Sequence, residues 1–477
     1  MNIILAGFNL DYEAMKEMRT SSQGLENLTP ETISAAYARI SRNPLSVNKL
    51  REISRNEVEE ARKSNRNIIF DMGHSSIAEH AVFNIDVIGV SRLLVEEIEK
   101  FRLCSYTEKS QRYIHLKDDF VIPGEINNPA IKKTFVKTIG DQNRLYQDLY
   151  KALKTYIFKK YADIASDPAN RSTLEGWAKE DARYTISLAT ETQLGMTLNA
   201  RNLELMLRRC AAHPLKEARE YGEKLYKATK NIAPSLVRYT EATGFDSMTR
   251  NALKAKSMDL IEKFAKKENS TATISETDDN VILYYVTPDA DDKIVASLIH
   301  SSSHISMDQC IAIVSRMNMK EKEDIIKASC KYMKSYDSPL REFENASLYF
   351  ELTVSASCFA QLKRHRMATI ICQEYDPSLG ITIPPAIHEI GMEGRLVEMA
   401  SRTGEIYDRL KRISPEAASY ILTNAHRKRI SMKVNARELY HIARLREDIH
   451  AQWDIRETAE RMVRLGKKVM PLTLMLA

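Results

Sequence analysis

Leu198-Asn199-Ala200-Arg201-Asn202-Leu203 and Val434-Asn435-Ala436-Arg437-Glu438-Leu439 are two versions of one pattern, and each opens a stretch rich in Leu, Met, Arg and Glu that reads as a helix. A second pair of segments lies upstream. Phe83-Asn84-Ile85-Asp86-Val87 and Phe350-Glu351-Leu352-Thr353-Val354 both alternate apolar and polar residues, the period of a half-buried strand. A serine follows each of them, Ser91 or Ser355, placed to cap a short helix. Those helices end in cations, Lys100-Phe101-Arg102 and Arg364-His365-Arg366, which complement a helix C-terminus. The same elements recur in the same order, so the chain reads as a tandem duplication.

The bulk composition agrees. A chain of 477 residues is too long for one ordinary core and predicts two domains. Hydrophobic content of 43% with 28% charged residues belongs to a globular protein and not to a disordered or fibrous one. No apolar run is long enough to cross a bilayer, and Met1 to Leu10 is too short and polar-flanked for a secretory signal, so the expected place is the cytoplasm, with no membrane partner. Six scattered cysteines without close pairing predict reduced thiols and neither a zinc site nor a disulfide framework. His74 and His80 have no third ligand at helical or turn spacing, so no metal is expected. A net charge of +6 suits a binder of phosphorylated small molecules and is too dispersed for nucleic acid. The expected architecture is α/β (α+β): a first unit over 1–240, a helical linker over 241–274 containing the polar run Glu268 to Thr273, and a second unit over 275–477. Each unit is expected to hold a mixed sheet flanked by helices.

At these residues the chain resembles the flavin-dependent thymidylate synthases, whose signature is RHR, seven residues, then Ser, usually followed by x-Arg-Tyr. In the first copy Lys100-Phe101-Arg102 precedes Ser110-Gln111-Arg112-Tyr113, so the serine end is intact and the RHR end altered. In the second the reverse holds: Arg364-His365-Arg366 is intact, but Glu374 and Asp376 replace the serine and the arginine. His74-Ser75-Ser76-Ile77-Ala78-Glu79-His80 resembles the family's HxxPxEH stretch, and Ser338-Pro339 through Glu344 is a looser version of it. Asn435-Ala436-Arg437, Arg446 and His450-Ala451-Gln452-Trp453-Asp454-Ile455-Arg456 are similar to the family's downstream motif. The first copy keeps Asn199-Ala200-Arg201, Arg209, His213 and Glu217, is one residue shorter before Arg209, and lacks the Ala-Gln-Trp.

The resemblance implies an FAD enzyme that methylates dUMP reductively to dTMP, with methylenetetrahydrofolate and NADPH as co-substrates. It implies that Glu108, Ser110, Arg112 and Arg183 hold the nucleotide with Gln361 and Arg364. Arg446, beside the uracil, is the implied catalytic cation. Arg364, His365, Arg366, Asn435, Arg437, His441, His450, Ser76 and Glu79 are the implied FAD contacts. Guanidinium forks suit phosphate because they donate paired charge-assisted hydrogen bonds. Family active sites lie between subunits, so the complementary losses predict one composite site fed by both halves, and a mirror site, carrying Glu374, Asp376 and Ser419, that is dead or repurposed. A homodimer of the fused chain would reproduce the family's four-unit arrangement. Two other readings stay open: methylation or hydroxymethylation of another pyrimidine nucleotide, and a catalytically silent flavin or nucleotide binder. Alone, Arg364-His365-Arg366 has the composition of a solvated helix end, Arg201 and Arg209 that of exposed helix charges, and Trp453 that of a packing residue.

Overall fold

The computed structural model describes residues 1–20, 28–112, 119–267, 280–448 and 450–477; Tyr113 and the polar run 268–273 lie outside them. The chain divides into two compact units, and neither is contiguous. Unit 1 comprises 1–140, 188–272 and 406–421; unit 2 comprises 141–187, 273–405 and 422–477. Each unit therefore takes one segment from the other half of the sequence. The helices Pro129–Lys160 and Glu393–Ile413 carry the chain from one unit into the other.

Unit 1 is built on strands β1 (Asn2–Phe8), β2 (Val82–Ser91), β3 (Ser105–Glu108) and β4 (Glu191–Asn199), in the order β1-β2-β4-β3. Unit 2 repeats this with β5 (Val281–Val286), β6 (Ser347–Ser355), β7 (Thr369–Cys372) and β8 (Arg427–Asn435), in the order β5-β6-β8-β7. Every pairing among these strands is antiparallel, so the sheets are not mixed. A parallel neighbour would need a crossover that returns the chain to the same edge in the same direction. Here each long helical connection instead returns it running the opposite way.

The strand register fixes how the two copies correspond. Phe83 lies opposite Leu198 and Leu348 opposite Val434, so Phe83 matches Leu348, two positions before the Phe350 that the alternation alone suggests. A shift of two residues keeps the alternation in phase, so the pattern alone does not detect it. β2 carries an extra residue at a bulge between Ile88 and Val90, where Gly89 takes φ +72°, and β6 pairs with β8 without a break. Alternation still places Phe83, Ile85 and Val87, or Leu348, Phe350 and Leu352, on the buried face. In unit 2 that face packs on Phe359, Leu362, Leu439, Ile442, Ile455 and Met462 from three helices. At about 1.5–3 kcal/mol per buried large side chain, these contacts decide which face of each helix turns inward.

The helix starts are chemically alike. Ser91 and Ser355 accept from the backbone N–H of Leu94 and Cys358, opening helices Arg92–Ile98 and Ala356–Leu362. Asn199 and Asn435 accept from the N–H of Asn202 and Glu438, opening Ala200–Ala211 and Ala436–Arg446. A side-chain oxygen at such a position satisfies a donor that the helix itself leaves open. Within helix Ala200–Ala211, Leu203, Met206 and Leu207 are buried, whereas Leu205 is exposed. None of the six cysteines is in a disulfide. Among the described residues no helix is long and apolar enough to cross a membrane.

Candidate active site

In unit 2 the helix Ala356–Leu362 ends at Arg364-His365-Arg366, and its neighbour Ala436–Arg446 ends at Arg446. Arg366 is exposed and Arg364 half-buried, while His365 is 2% exposed. Arg446 donates from Nε to His365 Nε2 at 3.0 Å and from Nη2 to the Gln361 carbonyl at 3.1 Å. Because Nε2 accepts, Nδ1 carries the ring proton, and it faces Glu438 Oε1 at 3.4 Å. Burial is the main reason that the His365 pKa lies below the ordinary value, with Glu438 opposing it. The ring is thus neutral at pH 7 and orients the guanidinium. His441 meets the His365 ring edge-on at 5.7 Å, and its pKa is also lowered, chiefly by burial.

A second layer lies behind this pair. Asp454, at the start of helix Trp453–Val469, is buried and accepts from Ser355 Oγ at 2.5 Å and Tyr184 Oη at 2.8 Å. Tyr184 and Arg183 belong to the segment 141–187 that the first half contributes to unit 2. Arg183 is 6% exposed, donates from Nε to the Glu180 carbonyl at 3.2 Å, and its own carbonyl accepts from Asn424 Nδ2 at 2.9 Å. Trp453 stacks on Tyr184 at 5.8 Å and donates from Nε1 to Asp181 at 2.8 Å, so it is a packing residue with one polar tie. Burial drives the Asp181 pKa up to about 7, opposed by the Trp453 bond.

Arg437, Asn435 and His450 are the remaining predicted residues of unit 2, and Arg444, which the sequence reading did not single out, lies on the same helix as Arg437. Arg437 donates to the Pro339 carbonyl at 2.7 Å and to Glu344 at 3.1 Å. Arg444 donates to the carbonyls of Ser335 and Asp337 and reaches His441 Nδ1 at 3.0 Å. Asn435 spends its side-chain oxygen on the helix cap. His450 is exposed, and its backbone N–H donates to Asp448.

In unit 1, Glu108 pairs with the nearly buried Arg92 and accepts from Thr192 Oγ1 at 3.3 Å. Ser110 Oγ accepts from the backbone N–H of Arg112 at 3.2 Å, a local side-chain-to-backbone turn. Glu79 forms an exposed pair with Arg201 at 2.5 Å, and Ser76 is exposed on the same short turn, Ser75–His80. The counterpart of Arg446 is not Arg209. Counted from the Asn caps, Arg446 corresponds to Cys210; Arg209 lies one residue earlier, about a quarter-turn round the helix, and pairs with Asp246 at 3.0 Å. Cys210 is buried beside Glu97, and burial first, then that carboxylate, pushes its thiol up to about 12. Glu97, in the place of Gln361, pairs with Lys100 at 2.6 Å and with His213 at 3.2 Å. These partners hold its carboxyl well below the usual range against the opposing effect of burial.

A family model described as thymidylate synthase complementing protein matches residues 25–235 and again 282–472. The chain belongs to that family, and carries it twice. The flavin-dependent thymidylate synthase of Clostridium tetani is 30% identical over 214 residues, 44% of this chain and 82% of that protein. The UPF0159 protein of Chlamydia pneumoniae is 25% identical over 433 residues, 87% of this chain and 80% of that protein, so this likeness spans both copies. A solved flavin dependent thymidylate synthase of Helicobacter pylori, complexed with FAD and dUMP, is 16% identical with a TM-score of 0.33, covering 50% of this chain and 100% of that one.

The two copies differ in what they offer an anionic cofactor. The cations of unit 2, Arg364 and Arg366 with Arg437 and Arg444 on one helix face, are with the His441 ring between them a donor set suited to the pyrophosphate of a dinucleotide. In unit 1 the corresponding end has Phe101 for the histidine, and Lys100 is engaged by Glu97, so its charge is offset within the protein.

Proposed function

We propose that the chain is an FAD-dependent thymidylate synthase, converting dUMP to dTMP with methylenetetrahydrofolate as carbon donor and NADPH as reductant. The observation that carries this reading is the composition of unit 2. There Arg183, from the first half, shares one compact unit with Gln361, Arg364, His365 and Arg446 from the second. A bound flavin supplies the redox chemistry, as the cofactor does in enzymes of this kind. The protein's part is to hold and polarise.

Arg183, with Ser110 and Arg112, holds the nucleotide phosphate, and Glu108 and Gln361 complete the contacts to the nucleotide. Arg446 stands by the uracil and stabilises negative charge as it develops there; its orientation is set in advance by neutral His365, so no reorganisation is needed in the transition state. Arg364, His365, Arg366, Asn435, Arg437, His441 and His450 hold the cofactor, joined by Ser76 and Glu79. The reaction so written draws on residues of both halves, which is why each copy tolerates its own losses. The working protein is a cytoplasmic homodimer acting on small molecules and not on nucleic acid.

The test is flavin content and visible spectrum of the purified protein, followed by dUMP-dependent oxidation of the reduced flavin with methylenetetrahydrofolate present. Bound flavin near one per chain with dTMP formed is the expected result. A yellow protein that makes no dTMP moves the reading to another pyrimidine acceptor or a silent binder. A colourless protein that fails to take up FAD overturns it.

A further inference from the structure

We infer that Gln452 is a positioning residue that couples the segment contributed by the first half of the chain to the uracil-side pair Gln361 and Arg446; the inference rests on the function proposed above. Gln452 is fully buried. Its Nε2 donates to Tyr184 Oη at 2.6 Å, and its Oε1 accepts from Gln361 Nε2 at 2.9 Å. Tyr184 donates onward to Asp454, which also accepts from Ser355. On the other side the main-chain carbonyl of Gln361 accepts from Arg446, whose Nε reaches His365. One amide thus joins two anchored ends: a buried carboxylate with two hydroxyl donors, and a guanidinium held between a carbonyl and an imidazole.

Unit 1 shows what the fold does without it. The anchor is the same there: Glu217 accepts from Ser91 at 2.6 Å and from Tyr420 at 2.7 Å. Tyr420 comes from the exchanged segment 406–421, as Tyr184 comes from 141–187. The residue two before Glu217 is Leu215, where the residue two before Asp454 is Gln452. With no amide to reach it, position 97 is a glutamate that turns to His213 and Lys100. The serine, carboxylate and tyrosine therefore suffice for folding in unit 1, and the glutamine adds only the connection. A buried amide in which donor and acceptor are both used fixes the rotamers of both neighbours, because losing either bond strands a polar group away from water. Gln361, so fixed, presents its side chain in one arrangement before nucleotide arrives, on the same residue whose main-chain carbonyl holds the Arg446 guanidinium.

The experiment uses full-length flavin-loaded protein and measures dUMP binding by calorimetry alongside the flavin spectrum. Gln452→Met, near-isosteric and without hydrogen bonds, is expected to keep its flavin and to bind dUMP about tenfold more weakly, with Gln361→Met matching it and the double variant no worse than either. Unchanged affinity in Gln452→Met, or losses that multiply in the double variant, overturns the coupling. Should Gln452→Met fail to fold, Tyr184→Phe removes a single hydroxyl from the same chain of bonds. It is expected to weaken dUMP about threefold with its flavin spectrum unchanged, and wild-type affinity overturns the coupling. A wild-type protein that binds flavin but not dUMP overturns the function proposed above, and the coupling with it.

Discussion

Units 1 and 2 share a sheet of the same order, the same two helix caps and the same buried serine, carboxylate and tyrosine, yet they differ at each position next to that triad. Gln361, His365, Arg446 and Gln452 of unit 2 stand where unit 1 has Glu97, Phe101, Cys210 and Leu215. The difference separates what folding requires from what ligand binding requires. A buried carboxylate with two hydroxyl donors cannot lose a partner without stranding charge, so Glu217 and Asp454 both keep theirs. At the positions of Arg364 and Arg446 unit 1 has Lys100, paired with Glu97, and the buried Cys210.

The largest effect that can break this comparison is on turnover. Arg446→Ala is expected to lower dUMP-dependent dTMP formation by about 10²–10³-fold, the usual loss when one preorganised donor at a developing charge is removed. Arg209→Ala, its apparent partner in the sequence, removes a half-exposed pair with Asp246 and is expected to stay within about twofold. Equal losses in steady-state assays would mean that the helical offset between the two arginines has no consequence.

That offset shows where sequence reading stops. Strands β2 and β6, both Ser caps, both Asn-initiated helices and the duplication were legible, because alternation and capping are local and were written twice. The match of Phe83 to Phe350 was wrong by two residues, because a shift of two leaves the alternation in phase and so is invisible to it. Matching Arg209 to Arg446 failed for another reason: a one-residue difference in a loop is harmless, but on a helix it turns a side chain by about 100°. The exchange of 141–187 and 406–421 left no periodic pattern. Its trace was the recurrence of tyrosine after Arg183 and after Ser419, since Tyr184 and Tyr420 fill the same place in each triad. Gln452 was visible within its motif, but its role depends on Tyr184, far away in the chain.

The next effect is on stability and should be the same in both units. Glu217→Ala and Asp454→Ala each leave two buried hydroxyl donors unpaired, and each is expected to cost about 3 kcal/mol, read as a lowered thermal midpoint. A large loss in one variant and none in the other would show that the triads are not equivalent.

A smaller effect separates the units by pH. Asp181 of unit 2 is buried with its pKa raised to about 7, above the unfolded value of about 4. A carboxyl whose folded pKa is raised binds its proton more tightly in the native state. Its contribution is therefore complete below pH about 4 and is lost as pH rises through about 7. The thermal midpoint should fall over that range, and Asp181→Asn should flatten the fall while keeping an acceptor for Trp453 Nε1. A slope unchanged in the asparagine variant would assign the titration to another group.

The smallest effect compares the two arginines that follow the Asn caps at the same helical position. Arg201 makes an exposed pair with Glu79, and Arg201→Ala is expected to cost less than about 1 kcal/mol, since both side chains are solvated and screened. Arg437 holds a carbonyl as well as a carboxylate, bonding Pro339 and Glu344, and so ties the segment before β6 to the helix. Arg437→Ala should lower the thermal midpoint somewhat more than Arg201→Ala. It should also reduce flavin retained through gel filtration, because a cation of the unit 2 donor set is lost. The two readouts divide the roles. A midpoint shift with full flavin would leave Arg437 a tether like any other, whereas flavin loss at an unchanged midpoint would make it a cofactor contact whose bond to Glu344 is released on binding.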